Sequence, residues 1–295
     1  MLLDPTESIP GLGQSVRSRE LFTLTIVGTL ISGAARTQPE TKAQAEARAQ
    51  ANLTREFQNP LPDLATLRFI NDVDVGLGEA DDSDVLVRIN LLLPMRVMSM
   101  ANLVVQTMVP LHSRPTEGPE SEPVNGVGDA LQHLLLGPTR AGHFIWALGP
   151  VLELPTATRR ALGTGKVSLG PSVILSYQNP SWTLGLNAWQ LWSVAGHEGG
   201  PDVERTHLQP AVSYTLPTRV ALGVGSETVI DWLAPPNDRL TLPLLVTMSR
   251  VTQVSDENVN VTLGARYYLD APSGGPEWGV RLAFAFTFEI DHDAK

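Results

Sequence analysis

From about Thr66 to Ile290 the chain runs through twelve short stretches of alternating apolar and polar residues, joined by connections that are alternately long and short. A period of two sends successive side chains to opposite faces of a strand, so each stretch predicts a strand with one greasy and one polar face. The last is the cleanest. Trp278, Val280, Leu282, Phe284, Phe286, Phe288 and Ile290 share one face, and Gly279, Arg281, Ala283, Ala285, Thr287 and Glu289 share the other. Two folds satisfy this pattern: a soluble sandwich that hides its apolar faces between two sheets, and a closed barrel that turns them outward to lipid.

The lengths and connections favour the barrel. The predicted strands are Thr66 to Gly78, Asp84 to Pro94, Met100 to Leu111, Gly126 to Gly137, His143 to Pro155, Lys166 to Tyr177, Trp182 to Ala195, Thr206 to Leu216, Val220 to Trp232, Leu240 to Gln253, Val259 to Leu269 and Trp278 to Ile290. Each is long enough to cross a bilayer at a tilt. Long connections such as Pro115 to Asn125 and Thr156 to Gly165 alternate with tight ones such as Gln178 to Ser181 and Pro217 to Arg219, and an even strand count returns both ends to the periplasmic side. Trp182, Tyr177, Trp232, Tyr214, Tyr267 and Trp278 fall near strand ends on the apolar face, where amphipathic rings favour the headgroup level. The expected fold is therefore all-β: a closed antiparallel up-and-down transmembrane barrel of about twelve strands, preceded by a short helix.

Charge and composition narrow the function. Charged residues make up only 18% of the chain against 42% apolar, fewer charges than a typical soluble domain carries. A formal net charge of -10 argues against nucleic acid as a partner, because phosphate binding needs clustered Lys and Arg. No run of about eighteen apolar residues predicts a membrane helix. With no cysteine there is no disulfide, thiolate ligand or cysteine nucleophile to consider. Arg17 and Arg19, the apolar run Leu21 to Ile31 and the small residues Ser32 to Ala35 read as a signal peptide. The expected organisation is a signal segment over 1–35, an Ala/Gln-rich helix and linker over 36–64, a barrel over 65–290 and a tail over 291–295. Glu40 to Arg55 favours helix but offers mostly alanine to a partner, as a mobile periplasmic segment or a light plug would.

Catalytic and cofactor motifs fail on inspection. Gly163-Thr164-Gly165-Lys166 lacks the first glycine of a phosphate loop, where Arg160 stands, and has Val167 in place of the hydroxyl residue. Gly126 and Gly128 lack the third glycine of a dinucleotide fingerprint, Leu131 standing there, and close strand packing explains them better. The six histidines show no metal-ligand spacing, and His197-Glu198 lacks the second histidine of a zinc protease. No Gly-x-Ser-x-Gly elbow occurs. The expectation is no metal, no cofactor and no catalysis.

The inward polar residues carry the functional signal. Asp74, Arg88, Arg266 and Arg281 lie at similar depth on strands that meet only if the last strand pairs with the first, so closure would gather them into one cluster. Such a cluster either stiffens a narrow wall or forms a charged constriction, and the stiffening role is favoured. Asp72, Asn90, Asn187 and Glu227 complete the expected lumen lining, with Glu153 and Lys166 expected to pair across one outer hairpin. Pro94, Pro110, Pro150, Pro171, Pro210 and Pro243 fall inside predicted strands, where they remove ladder hydrogen bonds and should create bulges or local openings.

From Asn59 onward the chain also resembles a family of outer-membrane transporter barrels that Gram-negative genomes label as phenol-degradation pathway proteins. The matching pieces are Asn59-Pro60 with Asp63-Leu64, Gly76-Leu77-Gly78, Gly126-Val127-Gly128-Asp129, Trp146 to Pro150 and Leu154 to Ala157. They continue through Leu162 to Lys166, Gly170-Pro171, Trp192 to Gly196 and Gly274 to Trp278. The resemblance implies a bacterial outer-membrane barrel that takes up small, apolar or aromatic compounds and is inserted by the outer-membrane assembly machinery. It implies no substrate residues. The expected function is a channel or passive transporter, with outer-membrane lipid and a small-molecule solute as partners. A non-conducting structural or adhesive barrel with surface-binding loops is the alternative, and a secreted β-sandwich a second.

Overall fold

The structure is a computed structural model, and it describes Phe57 and residues 64–288 apart from 79–80, 99, 116–122, 140–141, 197–199 and 255–256. The expected signal segment, the Ala/Gln-rich helix, His197 and Glu198, and the tail lie outside the described residues. The strands are β1 (Ala65–Leu77), β2 (Asp82–Arg96), β3 (Ala101–Arg114), β4 (Val124–Val127), β5 (Ala130–Pro138), β6 (Phe144–Leu154) and β7 (Lys166–Gln178). They continue with β8 (Trp182–Gly196), β9 (Glu204–Thr215), β10 (Val220–Gly225), β11 (Thr228–Asp231), β12 (Leu240–Val254), β13 (Glu257–Asp270) and β14 (Trp278–Phe288). Because β4 with β5, and β10 with β11, are two halves of one wall strand, fourteen segments make a twelve-strand wall.

The wall closes. β1 pairs with β14 antiparallel in unbroken register from Ala65↔Phe288 to Val75↔Trp278, and every other neighbour is adjacent in sequence. Closure matters because it removes both sheet edges, leaving no unpaired row of backbone groups to meet hydrocarbon. A sandwich has two sheets and open edges, so the soluble alternative is overturned. Alternation then does the sorting: Leu222, Val224, Leu244, Val246, Met248, Leu263, Val280 and Leu282 are exposed on the outside, while Thr66, Asp72, Asp74, Arg266 and Arg281 on the other face are buried. Such an exposed apolar belt is what lipid tails, and not water, would cover. At the ends of the belt Tyr177, Trp182, Trp232, Tyr267 and Trp278 are exposed, and Trp182 packs on Tyr214 with ring centroids 4.8 Å apart.

The prolines explain where the wall departs from regularity. A proline has no N–H to give a neighbouring strand. Pro150 faces Pro171 across β6 and β7, and the ladders on their far sides both skip a step. The β5–β6 pairs pass from His133↔Val151 to Leu136↔Leu148, and the β7–β8 pairs from Leu169↔Trp192 to Ser172↔Trp189. Gly149 and Gly170 let the backbones approach at these steps, since a Cβ there would overlap the Leu134 and Gln190 carbonyls. Pro110 on β3 lies beside the break between β4 and β5, where its carbonyl accepts from Gly128 N at 2.8 Å. Pro210 on β9 and Pro243 on β12 flank the break between β10 and β11. Two predicted strands are thus interrupted rather than continuous, because prolines on their neighbours withdraw the donors that would have held them.

The outward belt carries a test. Leu263, exposed at the middle of β13, should tolerate an alanine, whereas Leu263→Arg should destabilise the barrel by about 2–4 kcal/mol, the cost of a cation at the bilayer midplane. Denaturant titration in lipid vesicles measures the difference.

Candidate functional site

Two rows of inward residues meet where the wall closes. In one, Asp72 of β1 stands beside Arg281 of β14, and Arg281 beside Gly264 of β13. In the next, Asp74 stands beside Gly279, and Gly279 beside Arg266. Gly279 is the spacer: a Cβ there would overlap the Asp74 carboxylate, and without one Asp74 reaches Arg266 at 2.9 Å across the intervening strand. Asp72 is the hub. It is fully buried and accepts from Arg281 Nε at 2.7 Å and Nη2 at 3.0 Å, and from Arg88 of β2, with Arg266 at 3.3 Å.

Glu227 completes the cluster from far around the wall. It lies in the break between β10 and β11, which is separated from β1 by β12, β13 and β14. Its carboxylate accepts from Arg88 at 3.0 Å and from Arg281 at 2.9 Å, with a second Arg281 contact at 2.7 Å and Arg266 at 3.8 Å. These bonds cross the lumen rather than run along the wall. Three guanidinium groups face three carboxylates, so the cluster is neutral as a whole. The charge-assisted bonds are of the strong, bidentate kind, which is what taking ions out of water requires.

Two spaces lie against the cluster, and Arg68 and Ile70 line both. Toward the long loops, a cavity of about 520 Å³ is lined by Arg88, Asn90, Glu153, Asn187, Glu227 and a group of aromatic rings including Trp189 and His207. Toward the tight turns, a smaller one of about 200 Å³ is lined by Phe57, Arg68, Asn260, Thr262 and Arg281. Phe57, 5% exposed, packs with Val251 and Ala285, and its carbonyl accepts from Arg68 at 3.5 Å. Part of the lumen is therefore filled by the ion cluster and, on the tight-turn side, by an aromatic ring.

The upper cavity has two other boundaries. At the long-loop end, Asp129 leaves the ladder in the β4–β5 break and holds the 155–165 connection. Its carboxylate accepts from Ala157 N at 3.1 Å and Thr164 N at 2.6 Å, and from Thr164 Oγ1 at 3.1 Å. Gly163 permits this, since a Cβ there would overlap Asp129. At the side, the skipped ladder steps at Pro150 and Pro171 sit in an open apolar recess of about 850 Å³ on the outer face, lined by Leu148, Leu169, Trp192 and Val194. Ser172 and Trp189 line both this recess and the upper cavity.

The structure brings Asp72, Asp74, Arg88, Glu227, Arg266 and Arg281 together, and sets Asn90, Asn187 and Glu153 along the upper cavity. One expected pair fails. Glu153 lies opposite Ser168 in the register, bonds its hydroxyl at 3.3 Å and faces Arg205 at 3.9 Å. Lys166, two residues beyond Ser168 on β7, turns instead to Asp202 at 3.1 Å near the rim. Sequence reasoning missed Asp129 and the group His133, Ser172, Trp189 and His207. Among the described residues there is no group of three potential metal ligands.

The hub predicts its own sensitivity. Asp72→Ala should destabilise the barrel by about 3–5 kcal/mol, because it leaves three buried guanidinium groups short of a carboxylate. Asn71→Ala on the outward side of the same strand should cost far less, as thermal or urea unfolding will show.

No protein-family profile matches the chain, and no curated protein sequence does. Solved structures do. An outer membrane channel from Pseudomonas putida F1 aligns with a TM-score of 0.56 at 16% identity, over 77% of this chain and 97% of that one. The NanC porin aligns with a TM-score of 0.49 at 7% identity, over 77% and 100%. The outer membrane phospholipase of Salmonella typhi aligns with a TM-score of 0.46 at 12% identity, over 76% and 91%. At these identities the first alignment speaks for the fold: a closed barrel of the outer-membrane type.

Proposed function

We propose that the protein sits in a bacterial outer membrane as a passive transporter for small, apolar or weakly polar molecules, which enter the upper cavity from the long-loop end and leave sideways through the wall. The observation that carries this reading is that Ser172 and Trp189 line both the inner cavity and the outer recess, at the level where the ladders beside Pro150 and Pro171 skip a step. A neutral, densely bonded ion cluster occupies part of the axial path, a poor conduit for a molecule that cannot pair with it. No energy source is built in, so flux follows the gradient. The finer family resemblance, to barrels labelled for phenol degradation, agrees in solute size and polarity.

The protein acts without catalysis in this reading. His133 Nδ1 lies 2.9 Å from Ser172 Oγ, a nucleophile and a base in contact, yet no carboxylate among the described residues bonds His133 to complete the acid–base relay such chemistry uses.

The test compares entry of the apolar dye N-phenyl-1-naphthylamine into cells making the protein, the Pro171→Val variant or neither. Valine restores an N–H to the skipped ladder step. The expected result is faster entry with the protein and a fall of at least fivefold with Pro171→Val. Entry no faster than in cells lacking the protein, together with no single-channel conductance in planar bilayers, would favour the structural or adhesive barrel instead.

A further inference from the structure

The recess explains how an apolar chain could be held, but not why the cavity behind it carries an aromatic group with polar atoms left over. Trp189 is clamped between two imidazoles. His207, its direct partner across β8 and β9, stacks on it with centroids 4.6 Å apart and planes 7° from parallel. His133 meets it edge-on at 5.3 Å and 88°, and is itself fixed by Ser172 at 2.9 Å. The indole is thus held from both sides, in a fixed orientation.

Its hydrogen-bonding capacity is unused. Trp189 Nε1 and His207 Nε2 are buried and have no partner in the protein. Buried donors and acceptors are nearly always paired, because an unmade bond in a dry site is disfavoured, so two such atoms on two stacked rings call for a reason. The indole N–H can only donate, whereas the imidazole nitrogen accepts or donates according to its tautomer. Together they match a group that both accepts and donates. Charge is not what they offer: Arg205, two residues from His207 on the same inward face, is already opposed by Glu153 at 3.9 Å.

We infer that Trp189 and His207, braced by His133 and Ser172, form a binding site for the neutral hydroxyl head of an amphiphile whose apolar chain lies in the outer recess beside Trp192 and Leu169. The head would accept from Trp189 Nε1 and donate to His207 Nε2, and the chain would pass where the β7–β8 ladder skips from Leu169↔Trp192 to Ser172↔Trp189. This rests on the sideways route proposed above and names the solute class that the route selects. A pocket built to bond a hydroxyl rejects analogues that lack it, because its buried polar atoms are then left unpaired.

The test uses the full chain in lipid nanodiscs and two isomeric probes, 8-bromo-1-octanol and 1-bromo-7-methoxyheptane, compared at matched mole fractions in the lipid. Bromine at the chain end quenches the fluorescence of Trp192 in the recess, and Trp192→Phe isolates that saturable component. The alcohol should half-saturate at about tenfold lower concentration than the ether, the worth of one hydrogen bond. His207→Phe, which keeps the stacking but removes the acceptor, should bring the alcohol to the value of the ether while leaving the quenched tryptophan in place. His207→Leu provides a second variant should His207→Phe fail to assemble, and should abolish the preference likewise. Equal half-saturation of the two probes by the unaltered protein, or a preference that survives both variants, overturns the site. Those results leave the sideways route standing if Pro171→Val still slows dye entry, so the two claims fail separately.

Discussion

The structure depends on a buried ion cluster drawn together by closure of the wall. Asp72 can gather Arg88, Arg266 and Arg281 only because β14 returns to β1 in a register that sets Asp72 beside Arg281 and Asp74 two residues on. Buried charges of one sign would repel and would keep water in the lumen. Balanced charges, with Asp72 and Glu227 each met by more than one guanidinium and Asp74 by Arg266, let six ionic groups share a narrow lumen. Whether such a network adds net stability over an apolar filling is a separate matter. What it does supply is a tie between walls that share no ladder, through Glu227.

Proline and acid work as a pair in this wall. Pro110 lies beside the break that frees Asp129, and Pro210 and Pro243 flank the break that frees Glu227. In each case the neighbours' missing N–H groups loosen a strand at its middle, and a carboxylate released from regular geometry finds new partners. Asp129 latches the 155–165 connection, and Glu227 crosses the lumen. At Pro150 and Pro171 no acid is released. There the loosened ladder becomes an apolar recess, and glycine carries the close backbone approach. One chemical device therefore gives three outcomes, decided by the residue beside it.

Much of this was legible before the structure. Strict alternation in stretches such as Trp278 to Ile290 fixed both the faces and the strand count, and depth along the strands was enough to place Asp74, Arg88, Arg266 and Arg281 in one cluster, given closure. The breaks were not legible in the strands that carry them. Their cause lies on neighbours, as with Pro243 acting on Glu227, so only the register reveals it. Lys166 departs from expectation for a related reason: the β6–β7 register sets Glu153 opposite Ser168, two residues along β7 from Lys166, and the pattern of polar and apolar residues gives parity but not that offset. Trp189 and His207 are eighteen positions apart and look unrelated in the sequence. Their shared inward parity was the one signal, but it becomes a contact only once β8 and β9 are aligned.

The central claim is that Glu227 braces the lumen from the opposite side, and a double-mutant cycle on Glu227→Gln and Arg88→Met tests it most directly. Unfolding free energies of the two single variants, the double variant and the unaltered barrel in lipid should give a coupling energy of about 1–3 kcal/mol, the range for residues within one charged network. Additivity of the two substitutions within about 0.5 kcal/mol would mean that the two side chains act independently, and would contradict the account.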